Sequence, residues 1–274
     1  MKYLLVFSFL CTTFIFGQNS DQTSISVAYL LTFNDRHSQS NSLKEYFNLL
    51  VKDDKSIFQT YNERESDTLR EKNIAIPTNT NEYFSFNKFS ILFDDKNLVF
   101  NEKVGSEEYQ YSESINLKWQ LGNKNKEIKG FQCKNAIVNY GGRKWEAWYT
   151  LEIPVNAGPY KFKGLPGLIM KITDSTNSYD FEFFKMRKRD IDRIYKFNHY
   201  KPEDQRIIME RKEFNKYKQS YDELSLSEKL NIGSTGSKTI IERVDGEADQ
   251  TMRRVTDSTI GSSDVNPIEI DHHK

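Results

Sequence analysis

Few residues in this sequence have both the types and the spacing that chemistry needs. The stretch from Gly233 to Thr239 reads Gly-Ser-Thr-Gly-Ser-Lys-Thr, which are the residue types of a phosphate-binding loop. Such a loop needs four residues between its glycines and a lysine directly after the second, so that backbone amides and the ammonium surround the phosphates. Here Gly233 and Gly236 are too close together, and Ser237 precedes the lysine. We therefore predict no nucleotide site in this stretch.

Histidines and carboxylates are the other residue types with catalytic or metal-binding potential. Asp271-His272-His273 has metal-ligand types, but adjacent histidines near a chain end lack the fixed geometry and supporting hydrogen bonds of a metal site. His37 and His199 are isolated, and no HExxH, Ser-His-acid or paired-cysteine pattern occurs. Carboxylates are abundant, but a sequence does not identify one with a raised pKa. We predict no catalytic residue, no metal and no cofactor.

Residues 1–17 have the features of a cleaved secretory signal. Lys2 gives the segment a positive start, and the apolar stretch from Tyr3 to Phe16 is too short to span a bilayer. A polar run follows Gly17, next to which we expect cleavage. The sequence therefore predicts a periplasmic or secreted protein with no membrane span after cleavage.

The two cysteines have different expected fates. Cys11 lies inside the apolar stretch and follows Leu10 rather than a small residue, so we predict no lipoprotein. After cleavage Cys133 stands alone, which excludes an intramolecular disulfide. A lone cysteine can be a reactive thiol, a partner-linked thiol or a small buried side chain, and we favour burial because free cysteine is often buried.

The charge balance argues against polyanionic partners. The chain has 39 basic and 39 acidic residues, whereas nucleic-acid binding normally requires a basic patch. The run from Lys185 to Arg189 is the most basic stretch, but Asp190 and Asp192 follow it at once. We expect no nucleic-acid partner.

Alternation of apolar and polar residues is the main structural signal, and it indicates strands with one buried face. It occurs from Ile25 to Phe33, from Ile115 to Leu121 and from Trp145 to Ile153, with Trp148 on the polar side. Short turn signals favour an antiparallel meander over a parallel sheet, which would need helical crossovers. These turn signals are Gly122-Asn123, Gly141-Gly142 and Asn177-Ser178. We predict a mainly β fold with a curved antiparallel sheet, a half-barrel or a barrel-like meander.

Some segments break the simple pattern. The alternation changes phase near Asn135 and near Phe183, and we predict a β-bulge at each place. Residues 42–61 fit either a helix, from the capping box of Ser42 and Glu45, or a hairpin around Asp53-Asp54. We favour the hairpin.

The character of the chain changes beyond the strand-rich part. We assign the β domain to residues 18–200 and a charged amphipathic helix to 201–230, where Ile207, Phe214, Tyr217 and Tyr221 form one apolar stripe. Residues 231–274 are rich in Ser, Thr, Gly and Asp, and such a segment cannot bury enough surface to offset its ordering entropy. We predict a mostly disordered polar tail.

The stretch from Gly164 to Ile169 reads Gly-Leu-Pro-Gly-Leu-Ile. Pro166 and Gly167 suit the central positions of a type II turn, with positive φ at the glycine. Leu165 and Leu168 flank the turn and either pack it onto the sheet or present an apolar lip to a ligand. We favour packing.

At these residues the chain closely resembles the GLPGLI family of exported proteins from Bacteroidetes-type bacteria. The resemblance runs from about residue 24 to 187, and it implies an envelope or secreted protein, paired strands at residues 45–61, and no known activity. The matching positions look structural, and they include Trp119, Leu121, Ile128, Gly130, Phe131, Cys133, Lys134, Ala136, Gly142, Arg143, Trp148, Tyr149, Thr150, Ile153, Pro154, Gly164, Pro166 and Gly167.

Three functions remain open from the sequence. The leading hypothesis is a non-enzymatic binding or carrier protein, whose aromatic-lined concavity takes an apolar or peptide ligand. The first alternative is an envelope assembly factor that contacts a protein partner through Trp148, and the second is a hydrolase with two converging carboxylates. Arg143 either pairs internally or faces a ligand. Our candidate binding residues are Arg143, Trp148, Tyr149, Leu165 and Leu168.

Overall fold

The computed structural model describes residues 24–34, 42–62, 87–94, 97–189, 206–222, 224–225, 227–229 and 268–269. Most of these residues lie in strands, as predicted, and one long helix follows the strands. The predicted signal at 1–17 lies outside the described residues. The elements are β1 (Ser24–Asn34), β2 (Ser42–Lys52), β3 (Lys55–Thr60), β4 (Phe89–Asp94), β5 (Asn97–Val104), β6 (Glu107–Ser114), β7 (Gln120–Ile128), β8 (Phe131–Tyr140), β9 (Arg143–Thr150), β10 (Leu168–Asp174), β11 (Tyr179–Arg189), β12 (Ile207–Ile208) and α1 (Arg211–Asp222).

The twelve strands of the described residues belong to one sheet, in the order β12-β6-β5-β4-β3-β2-β1-β11-β10-β9-β8-β7. Neighbouring strands are antiparallel except β12, which pairs parallel with β6. The amino-terminal strand β1 therefore lies in the middle, between β2 and β11. This arrangement confirms the predicted antiparallel sheet.

The connection between β6 and β7 requires the sheet to curve. These strands are ten inter-strand steps apart in the sheet order, which is about 48 Å in a flat sheet at about 4.8 Å per step. Only residues 115–119 join them, and the six peptide links from one strand to the next reach at most about 22 Å. The sheet must therefore curl until its two ends approach each other. Within the described residues its edge strands β7 and β12 do not pair, so it is a half-barrel rather than a closed barrel.

The connection between β9 and β10 fills the inside of this curve. Phe162 is buried with its ring centroid 4.8 Å from that of Trp145 on β9. Two residues earlier, the Tyr160 ring lies 5.6 Å from Phe89 on β4, in the other half of the sheet. Residues 151–167 thus bridge both halves, and their Tyr160 and Phe162 side chains belong to the core.

The Leu-Pro-Gly turn differs from the prediction in its backbone. The positive φ of 101° belongs to Gly164, whereas Gly167 lies outside that region. Gly167 is required for a different reason, because a Cβ there would lie 1.9 Å from the carbonyl oxygen of Thr150. Leu165 and Leu168 are both buried, which confirms packing rather than an exposed lip.

The prediction of a single strand from Ile115 to Leu121 was wrong. β7 begins only at Gln120, and residues 115–119 make no ladder pairing because they cross between opposite ends of the sheet. Ile115, Leu117 and Trp119 nevertheless pack against the core while their neighbours are exposed. The alternation therefore came from burial of one side of the segment and not from strand pairing. Likewise β9 ends at Thr150 rather than at Ile153.

Two of the three predicted turns are confirmed. Gly141-Gly142 joins β8 to β9, and Asn177, with a φ of 54°, lies in the turn from β10 to β11. The predicted turn at Gly122-Asn123 was wrong, because both residues lie within β7. Lys129 and Gly130, with φ of 50° and 87°, make the turn to β8 instead.

The bulge near Phe183 is confirmed. Tyr29 pairs with Phe183 and Ala28 with Lys185, so Phe184 is the additional residue on β11. The irregularity near Asn135 is on the neighbouring strand. β8 pairs with β9 without a break, whereas on the other side of β8 the β7 register shifts between Leu121 and Asn125.

The hairpin at residues 42–61 is confirmed by the pairing of β2 with β3, and Asp53 takes a positive φ at its turn. The predicted helix is present as α1, and its Phe214 is buried against Tyr111. Ile207 was wrongly included in the helical stripe, because it lies in β12. Of the predicted disordered tail at 231–274, residues 231–267 and 270–274 lie outside the described residues, so their disorder stays a prediction. Ile268 and Glu269 are described, and Glu269 is buried.

Candidate functional site

A completely buried lysine marks the most unusual site in the described part of the chain. Lys161 lies in the β9–β10 connection and its side chain has 0% exposure. Its Nζ is 2.9 Å from the Tyr111 hydroxyl, 2.5 Å from Glu113 Oε1 and 2.7 Å from Glu269 Oε1. A buried ammonium is costly unless charged and polar partners surround it. Lys161 meets this requirement with two carboxylates and a hydroxyl.

Several elements bring these groups together. Tyr111 and Glu113 share the inner face of β6, because they are two residues apart on a strand. Tyr160, directly before the lysine, takes a φ of 54°, a conformation that is uncommon for a residue with a side chain. Such backbone outliers occur at sites that the surrounding structure over-determines. The β9–β10 connection is therefore shaped to place Tyr160 and Lys161 against β6.

Glu269 belongs to a short segment near the end of the sequence, yet it is buried. Its Oε1 accepts hydrogen bonds from the hydroxyls of Tyr160 at 2.5 Å and Tyr140 at 3.3 Å. Its Oε2 is paired with the guanidinium of Arg211, the first residue of α1. Burial raises the pKa of this carboxyl. The charges of Lys161 and Arg211 lower the pKa by more than burial raises it, so the pKa lies below its ordinary value. Glu269 is therefore an anion.

The residue before Glu269 is held through its backbone. Arg143 Nε donates to the carbonyl oxygen of Ile268 at 3.0 Å. The Nη1 of the same guanidinium is 3.0 Å from Asp174 Oδ2, and both of these side chains are buried. At Gly141, a Cβ would lie 2.8 Å from Glu269 Cγ, so the glycine leaves room for the segment. The site binds both the backbone and the side chain of a dipeptide.

We call this site the Lys161 pocket. It consists of Tyr111, Glu113, Tyr140, Gly141, Arg143, Tyr160, Lys161 and Arg211, with Ile268–Glu269 as the occupant.

The tyrosine hydroxyls of the Lys161 pocket keep their protons, and that of Tyr111 accepts a hydrogen bond from Lys161. Burial raises the pKa of Tyr140 and Tyr160 far above the usual range, and the negative charge of Glu269 raises both further. The pKa of Tyr111 is raised for the same two reasons. All three hydroxyls therefore stay protonated, and those of Tyr140 and Tyr160 point at the carboxylate.

Two carboxylates converge here, which is the geometry that a hydrolase would need. Glu113 and Glu269 both contact Lys161, and Arg211 lies beside both of them. A general acid requires a raised carboxyl pKa, however, and the pKa of Glu269 is lowered. The lowered pKa suits Glu269 to bind as an anion and not to act as a general acid.

The predicted binding residues divide between the two faces of the sheet. Arg143 is in the Lys161 pocket and pairs internally with Asp174. Tyr149, Leu165 and Leu168 are buried in the core. Trp148 lies on the outer face, half-buried, because successive strand residues point in opposite directions.

Trp148 is partly covered on that outer face. The Nζ of Lys126 lies 4.0 Å from the centroid of its ring, which is a cation–π distance. Trp148 is therefore separated from Arg143 by the thickness of the sheet.

Sequence reasoning missed most of the Lys161 pocket. A usable signal was the Tyr160-Lys161-Phe162 triplet, since a lysine between aromatic residues next to an apolar segment must find partners if it is buried. Nothing in the sequence linked it to Glu113, Arg211 or Glu269, which are distant in the chain.

The lone cysteine is buried, as predicted. Burial raises the pKa of the Cys133 thiol to about 11, and its Sγ lies 3.4 Å from the carbonyl oxygen of Phe131. Pro154 lies in the β9–β10 connection, and its structural role stays a prediction.

Trp119 Nε1 donates a hydrogen bond to the carbonyl oxygen of Lys163, which ties residues 115–119 to the β9–β10 connection.

Comparisons with known proteins give limited matches. Residues 141–171 match the family described as "Protein of unknown function (Porph_ging)". No curated protein matches the chain. No described helix is long and apolar enough to cross a membrane.

Solved structures resemble the fold in part. Two structures of PNGF-II, in space groups P21 and C2, are 15% identical, with TM-scores of 0.48 and 0.49. They cover 69% and 73% of this chain but 31% and 33% of their own, so this chain spans about a third of their length. The LolA superfamily protein NE2245 from Nitrosomonas europaea is 14% identical over 62% of this chain and 88% of its own, with a TM-score of 0.29.

Proposed function

We propose that this chain is an exported, non-enzymatic binding protein of the cell envelope, and that its curved sheet holds a peptide ligand. The observation that carries the proposal is the Lys161 pocket, which binds the dipeptide Ile268–Glu269 through a backbone carbonyl and a side-chain carboxylate. Its contacts come from β6, β8, β9, the β9–β10 connection and α1. Recognition by a few convergent polar groups in an otherwise apolar site is typical of ligand pockets.

The inside of the sheet favours a peptide over a large apolar ligand. The central space between the halves is occupied by aromatic side chains of the β9–β10 connection. Its Phe162 and the neighbouring Trp145 of β9 have no exposed surface. An apolar carrier would need this space for its cargo. A peptide requires only a groove that offers partners for its backbone and one or two side chains.

Export and family membership are part of the proposal. The Gly164 to Ile169 motif supports membership of the GLPGLI family, and the matched stretch 141–171 contains four residues of the pocket, Gly141, Arg143, Tyr160 and Lys161. The signal features of residues 1–17 support a periplasmic or secreted location.

Native mass spectrometry of the mature protein purified from its host envelope tests this function. We expect a peptide mass that leaves on denaturation, and we expect a Lys161→Met variant to lose it because the carboxylate then lacks its buried cation. Lys171→Met is the matched control, since Lys171 also contacts two carboxylates but lies on the outer face. Recovery of an apolar small molecule, or of empty protein from every preparation, would contradict peptide binding.

A second candidate function is an assembly factor that contacts a partner protein through the outer face. Tyr46 and Phe184 form an edge-to-face pair there, with centroids 5.2 Å apart and each side chain 44% exposed. Exposed aromatic side chains often anchor interfaces. If this face is the interface, Tyr46→Ser with Phe184→Ser should abolish recovery of partners from envelope extracts, whereas Glu228→Gln, at an exposed residue outside the sheet, should leave recovery unchanged.

A further inference from the structure

The Lys161 pocket is built for a carboxylate, whether or not that carboxylate belongs to this chain. Four donors converge on Glu269, namely the ammonium of Lys161, the guanidinium of Arg211 and two tyrosine hydroxyls. Three of them are presented by β8 and by the β9–β10 connection, far from Glu269 in sequence. If Glu269 withdrew, buried donors would lose their acceptor, which is costly for hydroxyls and more so for an ammonium. A second carboxylate would relieve that cost.

The pocket also identifies the ligand as a peptide. Arg143 is held in place by its buried ion pair with Asp174, and from that position it donates to the carbonyl oxygen of Ile268. A backbone carbonyl followed directly by an acidic side chain is a feature of a polypeptide and not of a simple organic acid. Gly141 leaves space beside the Cα, Cβ and Cγ of Glu269, and the donors of the pocket contact its carboxylate at the full length of a glutamate side chain.

Among the described residues, the backbone of the occupant has few attachments to the fold, although four donors hold its carboxylate. Ile268 and Glu269 belong to no strand or helix, so their withdrawal breaks no sheet or helix hydrogen bond. Among the described residues, the backbone of this segment is held by the single bond from Arg143. Its contacts are therefore those of a bound ligand.

We propose that the Lys161 pocket is a recognition site for glutamate-containing peptides, and that Ile268–Glu269 is an internal competitor which an external acidic peptide displaces. This inference rests on the proposed peptide-binding function and specifies its ligand class. A tether supplies an effective concentration on the order of millimolar when its length suits the span. The tail therefore sets the threshold that an external peptide must exceed.

Fluorescence anisotropy with a labelled peptide of residues 264–274 tests the proposal directly. We expect Glu269→Gln in the full mature chain to bind this peptide at least tenfold more tightly than the wild type, because its own tail no longer competes. Glu228→Gln is the matched control, since Glu228 is exposed and away from the pocket. A peptide with glutamine in place of its central glutamate should bind at least tenfold more weakly to the Glu269→Gln protein. Equal affinity for both peptides would overturn the proposal.

A second measurement does not depend on a variant that folds. Hydrogen exchange of residues 264–274 in the wild-type chain should accelerate when an isotopically labelled copy of the peptide is added in millimolar excess. Unchanged exchange under these conditions would show that the tail is a fixed part of the fold and would overturn displacement. Light scattering would detect a dimer that forms by exchange of tails. Such a dimer would also overturn the proposal that the ligand is an external peptide.

The two proposals can fail separately. A peptide that lacks acidic residues, found on the envelope-purified protein, would keep the peptide-binding function but remove glutamate recognition. Binding of the 264–274 peptide to Glu269→Gln but not to Glu269→Gln with Lys161→Met would support recognition even where native mass spectrometry finds no ligand.

Discussion

Lys161 Nζ and Glu269 Oε1 lie 2.7 Å apart inside the half-barrel, although one residue belongs to the β9–β10 connection and the other to a segment near the end of the sequence. Their pairing holds Ile268–Glu269 against the buried inside of the sheet. Both the stability of the core and the occupancy of the site therefore depend on the same two charges.

Replacing the buried lysine should destabilise the protein strongly. Lys161→Met removes the buried cation between Glu113 and Glu269 and leaves them only the partly exposed Arg211 among their described cationic partners. Removing one partner of a buried ion pair costs about 3–5 kcal/mol. Urea unfolding followed by tryptophan fluorescence measures the change. Lys171→Met, which disrupts a half-exposed pair with Asp180, should cost about 1 kcal/mol or less. Equal losses for both variants would contradict the importance of burial.

The carboxyl of Glu269 should make stability depend on acid pH. Its pKa is lower in the folded protein than in the unfolded chain, where it is about 4.3. The stabilisation is therefore fully present above about pH 4.3 and is lost as the pH falls through the lower folded pKa. The difference in unfolding free energy between wild type and Glu269→Gln should shrink on acidification across this window. A constant difference from pH 7 to pH 2 would count against the ion pairs with Lys161 and Arg211.

Two glycine substitutions should separate steric overlap from backbone strain. Gly167→Ala would place a Cβ 1.9 Å from the carbonyl oxygen of Thr150, so the β9–β10 connection must move and the variant should fail to fold stably. Gly130→Ala meets no atom within 4 Å and carries only the strain of its φ of 87°, which costs about 1–2 kcal/mol. Thermal unfolding by circular dichroism should rank the variants in that order.

The thiol of Cys133 should be unreactive in the folded protein. Burial raises its pKa to about 11, so the thiolate that reacts with disulfide reagents is scarce at pH 8. We expect labelling by a disulfide reagent to be slow under native conditions and complete in denaturant. Rapid native labelling would indicate that β8 opens readily around this residue.

The strands were predictable where a single segment contains the whole signal. β1 and the β2–β3 hairpin follow from alternation and from the turn at Asp53, because pairing between consecutive strands depends on local pattern. The segment at Ile115 to Trp119 shows the limit of that signal. One-sided burial produces alternation whether or not a ladder forms, and only the sheet order reveals that this segment crosses between edges.

The candidate site was predictable in one residue only. Arg143 was singled out, but its partner Asp174 and the carbonyl of Ile268 come from separate parts of the chain. The requirement for Gly167 was expected from turn geometry, whereas it comes from contact with Thr150 on another segment. Long-range contacts of this kind leave no periodic trace in a sequence.

The central position of β1 has a consequence for synthesis. One edge of β1 pairs with β2, which follows at once, but the other edge pairs with β11, whose residues extend to Arg189. A chain that emerges from its amino terminus therefore presents an open, apolar strand edge until most of its length has appeared. Such an open edge can pair with a strand of another chain. We therefore expect β1 to need either a chaperone or rapid folding until it pairs with β11.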